Sequence, residues 1–282
     1  MITGSNSGIG KETAVGLARM GASIVMVCRD RQRGEAAAKE ISMRAGVDGR
    51  REGGGGGVTD LFIADLSILG SVRQLAQDFK KKYRRLDVLV NNAGLILAKR
   101  TLTKEGLETT FVVNYLSHFL LTNLLLDLLK SSAPSRIINV SSVAHLSGHI
   151  DFDDLQGETK YGALRAYSQS KLAQMMFTYE LAKRLEGTGS TVNAVHPGNV
   201  ATNWGRKSAG ALSVLLRLAS PFLLSPEKGA DTLIYLASSP EVANVTGKYF
   251  FKRKQVESSA ESTDEEKSKR LWEISERLCG LK

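Results

Sequence analysis

The chain has 282 residues, 42% of them hydrophobic and 24% charged, with a formal charge of +9. That composition builds a packed core and excludes a disordered or low-complexity chain. No nucleic-acid module or interleaved basic–aromatic array accompanies the charge, so nucleic acid is not an expected partner and most of the charge reads as solvated helix faces. Cys28 and Cys279 stand far apart and match no metal spacing, which fits a reducing intracellular compartment and no metal site.

The first signal is Thr3-Gly4-Ser5-Asn6-Ser7-Gly8-Ile9-Gly10, followed at once by a helical pattern with Ile9, Ala14 and Leu17 on one face. Glycines at this spacing let the backbone turn sharply and let a phosphate approach bare N–H groups at a helix N-terminus. Only Met1 and Ile2 precede Thr3, so the first strand is expected to be nearly absent. Such a start reads as a truncated form or a shortened gene model.

Ala22–Cys28 is a continuous apolar, β-branched run, the mark of a strand buried on both faces. Its last position is where an acid would bind a ribose diol. Here Cys28 and then Arg29 stand there, and arginine offers a planar fork to a phosphate. Lys11 is expected to add a second positive charge, and Asp30 opposes the reading. A helix over Gly34–Met43 follows, then 45–57 with five consecutive glycines, expected to be a flexible surface loop. Val58–Ala64 reads as the third strand, ending at Asp65-Leu66. Val72, Leu75, Ala76 and Phe79 mark the inner face of the next helix.

Leu86–Val90 is the fourth strand and runs into Asn91-Asn92-Ala93-Gly94. A helix from Asn114 to Lys130 is apolar almost all round, so it is buried, either in the domain or at a subunit contact. Ile137–Val140 is the fifth strand, ending in Ser141-Ser142; Gly148–Gly157 reads as a loop with a short element. Tyr167 to Lys171 opens a helix whose Leu172, Met175, Met176 and Tyr179 form a core face. Val192–Val195 is the sixth strand, followed by His196-Pro197-Gly198 and Val200 and Thr202. The apolar stretch Ala209–Leu224 is interrupted by Arg217 and Pro221 and is too short to span a bilayer. Pro226–Ser238 is an amphipathic helix, Thr246–Phe251 a seventh strand. Ser262–Leu281 is a final helix with Ser262 and Glu265 at capping-box spacing. Alternating strands and helices call for an α/β fold: a single doubly wound, Rossmann-type domain over 1–282 with a mostly parallel sheet.

Tyr167 and Lys171 are one helical turn apart and share a face. A nearby ammonium favours the phenolate and is expected to lower the phenol pKa. Ser142, at a strand's carboxyl end, is placed to hydrogen-bond a substrate oxygen.

Taken in order, T-G-x-x-x-G-I-G, N-N-A-G, Asn114, Ser142, Y-S-Q-S-K and H-P-G-x-V-x-T resemble the short-chain dehydrogenase/reductase superfamily over nearly the whole chain. Further stretches at 28–34, 118–126, 132–137, 150–155 and 270–276 resemble its vertebrate retinol dehydrogenases 11 to 14. The resemblance implies roles. Tyr167 is the acid/base, Lys171 lowers its pKa and holds the nicotinamide ribose, Ser142 orients the reacting oxygen, and Asn114 anchors a water. Gly4, Ser5, Gly8, Ile9 and Gly10 line the pyrophosphate; Asp65, Leu66, Asn92, Ala93 and Gly94 flank the adenosine half; Pro197, Gly198, Val200 and Thr202 face the nicotinamide. With Arg29 the cofactor is expected to be NADP(H). The implied substrate is an apolar alcohol or carbonyl such as retinol or retinal. Residues 203–225 are expected to form a substrate lid or a peripheral membrane contact, at an endoplasmic reticulum or other organelle membrane, and a homodimer is compatible. The alternatives are a reductase of steroid or lipid carbonyls, and a non-catalytic NADP(H)-binding interaction protein.

Overall fold

The computed structural model describes residues 1–46, 59–198 and 224–282. The glycine run, Val200, Thr202 and nearly all of the 203–225 region lie outside the described residues.

Within them, eight strands form one sheet in the order β3-β2-β1-β4-β5-β6-β7-β8. They are β1 (Ile2–Thr3), β2 (Ile24–Cys28), β3 (Thr59–Ile63), β4 (Val88–Asn91), β5 (Ser135–Val140), β6 (Ser190–His196), β7 (Lys248–Phe251) and β8 (Lys254–Val256). All pairs are parallel except β7 with β8. The doubly wound α/β arrangement expected from the sequence is the one observed.

The first strand is two residues long, as expected, yet it sits in the centre of the sheet. Met1 extends its bonding: its nitrogen donates to the Val88 carbonyl at 2.8 Å and its own carbonyl accepts from Val90 N at 2.9 Å. Both faces of the sheet are buried. Along β2, Val25 and Val27 join one apolar cluster while Ile24 and Met26 join the other. This two-sided burial is why the strand reads as an unbroken apolar run.

Helices α1 (Gly8–Arg19), α2 (Arg31–Ala45) and α8 (Pro226–Ser238) cover one face. Helices α3 (Leu69–Lys82), α5 (Ser117–Leu124), α7 (Ala163–Arg184) and α9 (Glu265–Leu278) cover the other. The expected Asn114–Lys130 helix is interrupted. It comprises α4 (Thr109–Phe111), a π-helical turn Val112–Leu116, α5, and α6 (Leu126–Ser131). The break after Leu124 has a local cause. Asn123 Nδ2 bonds back to the Phe119 carbonyl at 2.8 Å, and Leu125 N is shared between Leu121 and Thr122 carbonyls. The apolar faces of this segment are covered within the chain. Tyr115, Phe119, Phe177 and Trp272 form one aromatic cluster, with Phe119 and Trp272 centroids 4.8 Å apart. Of the two readings of this helix, burial in the domain holds.

Two further differences have clear reasons. The strand β8 is added by a hairpin whose turn residues Lys252 and Arg253 take φ of 50° and 60° without glycine, so no turn signal announces it. The last helix starts at Glu265 with Asp264 as its cap, accepting from Lys267 N at 3.0 Å. Ser262 is not a capping residue, because its hydroxyl bonds to Ser258 Oγ and the Ser259 carbonyl instead.

Candidate active site

The glycine turn joins β1 to α1. Gly4 and Gly8 have φ of +66° and +57°, and a Cβ on Gly10 would lie 2.5 Å from Asn92 Nδ2 and 2.7 Å from the Gly4 carbonyl. Any side chain at Gly10 would therefore collide with the turn itself. The first turn of α1 carries no acid, which leaves its amides and its positive end for an anion. Ile9 is packed in the core and the Ser5 hydroxyl donates to the Ile2 carbonyl, so neither of those side chains is free for a ligand.

Thr3 fastens this turn to the end of β4. Its Oγ1 accepts from Asn92 N at 2.9 Å and Ala93 N at 3.0 Å and lies 3.0 Å from His118 Nε2. Asn92 Nδ2 returns the contact to the Thr3 carbonyl at 2.8 Å. Thr3→Val keeps the shape and removes the oxygen, leaving two strand-end amides and a buried imidazole nitrogen without partners. We expect a loss of about 2–4 kcal/mol in urea unfolding; an unchanged midpoint would show that these bonds contribute nothing net.

At the end of β2, Arg29 is exposed and makes no ion pair or hydrogen bond among the described residues. Asp30 accepts from Arg33 N at 2.9 Å as the cap of α2, so its carboxylate has a structural partner. The second charge expected from Lys11 is not free: its ammonium pairs with Glu40 at 2.7 Å. Asp65 closes its own turn by accepting from Ser67 N and Oγ at 2.9 and 2.7 Å, and Leu66 is a core residue. Ala93 and Gly94 lie half-buried beside the glycine turn. Pro197 and Gly198 follow β6, Gly198 at φ +89°.

Ser142, Tyr167, Lys171 and Asn114 converge at the carboxyl ends of β4 and β5. Ser142 caps a 3-10 turn over Val143–Ser147 and is hydrogen-bonded to the Tyr167 side chain. The turn packs closely on α7 because residue 148 is glycine. A Cβ there would sit 2.6 Å from the Ser168 carbonyl and 3.0 Å from Leu172 Cβ. Ser141, by contrast, donates to the Lys171 carbonyl at 3.0 Å and ties β5 to α7. Lys171 Nζ lies 5.7 Å from the Tyr167 ring centroid and donates to the Val140 carbonyl at 2.8 Å and Gln174 Oε1 at 3.0 Å.

The Asn114 side chain is taken up by protein. Its Nδ2 donates to the Leu95 carbonyl and Ser170 Oγ, and its Oδ1 accepts from Leu95 N, all at 2.8–3.0 Å. Both amide hydrogens and one Oδ1 lone pair are thus engaged by protein, which leaves one lone pair for the expected water, and the side chain fixes the segment after β4 against α7. Among the described residues no cluster of three or more His, Cys, Asp or Glu is arranged to hold a metal.

The short chain dehydrogenase family matches residues 1–211. This chain belongs to that family. The dehydrogenase is 49% identical to Retinol dehydrogenase 14 of Homo sapiens, covering 100% of this chain and 86% of the relative. It is 47% identical to Retinol dehydrogenase 13 of Homo sapiens, covering 100% and 84%. Among solved structures, an uncharacterized protein from Mycobacterium Paratuberculosis superimposes with a TM-score of 0.77 at 34% identity, over 99% of this chain and 92% of that one. The RhlG/NADP active-site complex of Pseudomonas aeruginosa gives 0.69 at 30% identity, over 88% and 92%. The dehydrogenase is therefore an oxidoreductase of a family that binds a nicotinamide cofactor, and the cradle formed by Gly4, Gly8 and Gly10 fits the pyrophosphate of such a group.

The electrostatics of this dehydrogenase differ from the sequence expectation. Burial pushes the Tyr167 phenol above its usual range, offset in part by the Ser142 hydrogen bond, and burial holds Lys171 down at about 7. The ammonium does not lower the phenol here, because desolvation disfavours the charge on both groups. Two residues of the site escaped the sequence reading: Gln174, which accepts from Lys171, and His118, which joins Gln174 to Thr3. The only available signal was position, three residues after Lys171 and four after Asn114.

Proposed function

We propose that this dehydrogenase interconverts an apolar alcohol and its carbonyl with NADP(H), retinol being the alcohol in its relatives' names and retinal the corresponding carbonyl. The observation that carries the reading is the cluster of half-buried Ser142 with buried Tyr167 and Lys171 at the sheet's carboxyl ends. Three exposed apolar side chains flank that cluster: Val143 (44%) and Leu146 (56%) on the turn capped by Ser142, and Leu164 (65%) one helical turn before Tyr167. An apolar rim around a polar reaction centre suits a lipophilic substrate.

A bound nicotinamide would supply the hydride exchange with the substrate carbon. Tyr167 exchanges the proton with the substrate oxygen, and Ser142 donates a hydrogen bond to that oxygen and orients it. Lys171 holds the nicotinamide ribose and supplies positive charge beside the phenol. Asn114 positions the walls of the site. Gly4, Ser5, Gly8, Ile9 and Gly10 line the pyrophosphate, Ser5 and Ile9 with their backbones. Asp65, Leu66, Asn92, Ala93 and Gly94 flank the adenosine half. Pro197, Gly198, Val200 and Thr202 face the nicotinamide. Residues 203–225 close the pocket or meet the membrane surface from which such substrates come, within a single domain over 1–282. Among the described residues no helix is long and apolar enough to cross a membrane.

The NADP(H) preference rests on Arg29, which has no ion-pair partner among the described residues and lies beside a strand end that carries Cys28 in place of a carboxylate. The test is oxidation of NADPH and NADH with all-trans-retinal against a panel of steroid ketones and lipid aldehydes. NADPH and retinal are expected to give the largest kcat/KM. Arg29→Ala is expected to raise the KM for NADPH about tenfold, the worth of one charged contact to a phosphate, and to leave NADH unaffected. No oxidation with any carbonyl would leave the non-catalytic binder as the reading.

A further inference from the structure

Lys171 lies in a pocket where no carboxylate pairs with it among the described residues. It is 2% exposed, and its ammonium bonds to the Val140 carbonyl of β5 and to Gln174 Oε1 on its own helix. The titratable groups that face it are Tyr167, also on α7, and His118 from α5. Among the described residues, Gln174 is therefore the one side chain whose oxygen is hydrogen-bonded to the ammonium. A buried amide can turn over, presenting either its oxygen or its NH2, and only the oxygen stabilises a cation.

What fixes that choice is His118. Gln174 is 1% exposed, and among the described residues its Nε2 has one partner, His118 Nδ1 at 3.3 Å. His118 Nδ1 also lies 3.2 Å from the Asn114 carbonyl one turn back; we assign the proton to Nε2, which faces Thr3 Oγ1 at 3.0 Å, so that Nδ1 receives the Gln174 hydrogen and the Asn114 contact carries none. Burial holds the His118 imidazole down at about 3, so it stays neutral and keeps one bare nitrogen throughout the working pH range. Thr3 in turn bonds the amides of Asn92 and Ala93 beside the glycine turn.

We propose that Gln174 and His118 are positioning residues for Lys171. They form a buried hydrogen-bonded bridge that runs from Thr3, at the glycine turn, to the ammonium, and holds the Gln174 oxygen against it. The bridge rests on the oxidoreductase reading only for its catalytic consequence. Its electrostatic consequence is a property of the protein alone: the bridge favours the charged form of Lys171 over the neutral one.

The sign follows. Removing the acceptor disfavours the ammonium, so Lys171 loses its proton at lower pH. Replacing the amide by a carboxylate favours the ammonium, so the proton is lost at higher pH. The experiment is an NMR titration of 15Nζ-lysine-labelled full-length protein without cofactor, comparing the parent with Gln174→Met, Gln174→Glu and His118→Phe. Gln174→Met is expected to move the Lys171 midpoint down by about one pH unit, as loss of a hydrogen bond to a charge requires. His118→Phe is expected to move it in the same direction by less, and Gln174→Glu to move it up. Where NADPH oxidation is measured in parallel, the alkaline limb of the rate profile moves with the NMR midpoint in each variant. A purely structural role would lower the melting temperature and leave the midpoint where it was. Should Gln174→Met fail to fold, Gln174→Glu, which keeps shape and polarity, decides alone. Unmoved midpoints, or shifts of one sign in both Gln174 variants, overturn the bridge. A parent protein that titrates as stated yet turns over no carbonyl leaves the bridge standing and counts against the oxidoreductase reading.

Discussion

Tyr167→Phe is expected to lower turnover about a thousandfold, within the range a positioned acid–base group contributes, and to leave NADPH binding within a few-fold of the parent. The phenyl ring fits the same buried site, which is 8% exposed, so the loss falls on proton transfer and not on folding. The Ser142 hydroxyl loses its Tyr167 partner in this variant but keeps its bond to Ala144 N at 3.2 Å. Steady-state NADPH oxidation together with cofactor fluorescence quenching separates the two effects. Turnover retained at a tenth or more of the parent rate would remove Tyr167 from the chemistry, and the proposed function with it.

Trp272→Ala is expected to cost about 3–5 kcal/mol, the usual range for emptying a buried tryptophan site. Trp272 is 3% exposed on α9. Its ring meets Phe119 at 4.8 Å and Phe177 at 5.8 Å, and the Arg184 guanidinium lies 4.0 Å over it. Truncation opens a cavity between the last helix and α5 and α7, which carry Phe119 and Phe177. Urea unfolding measures the loss, and a shift below about 1 kcal/mol would show that the tail is only loosely docked. An aromatic cluster stripped of its cover also predicts concentration-dependent association, visible by light scattering, at protein concentrations where the parent stays unchanged.

How much of this was legible in the chain depended on whether the deciding interaction was local. The strand ending in Cys28 was readable because burial on both faces writes itself as an apolar run. The helix over Pro226–Ser238 was readable to the residue, since Ser225 caps it, accepting from Lys228 N at 3.4 Å, and proline opens it. The strand Lys254–Val256 was not, because two of its three residues are exposed lysine and glutamine and only pairing across a glycine-free turn makes it a strand. At the site, spacing on one helix joined Tyr167 to Lys171, and family order supplied Ser142. The bond between Ser142 and Tyr167 needs the turn after β5 to settle on α7, which depends on Gly148 and is invisible locally. Charge was where the sequence misled. Spacing alone cannot tell how deeply a pair is buried, and burial reversed the expected direction for Tyr167. Lys11 failed for a related reason: Glu40 comes from the next helix and claims it.

The docking of α9 has a bearing on how the chain is made. Leu271, Trp272 and Cys279 belong to the same apolar cluster as Phe119 and Leu172. A ribosome delivers these residues well after the helices they cover, so the nascent polypeptide carries an open hydrophobic seam along α5 and α7 until α9 has emerged. Folding on the ribosome would then stall short of the native state, and a premature stop codon shortly before Leu271 would yield a client for chaperones and proteases rather than a smaller working enzyme.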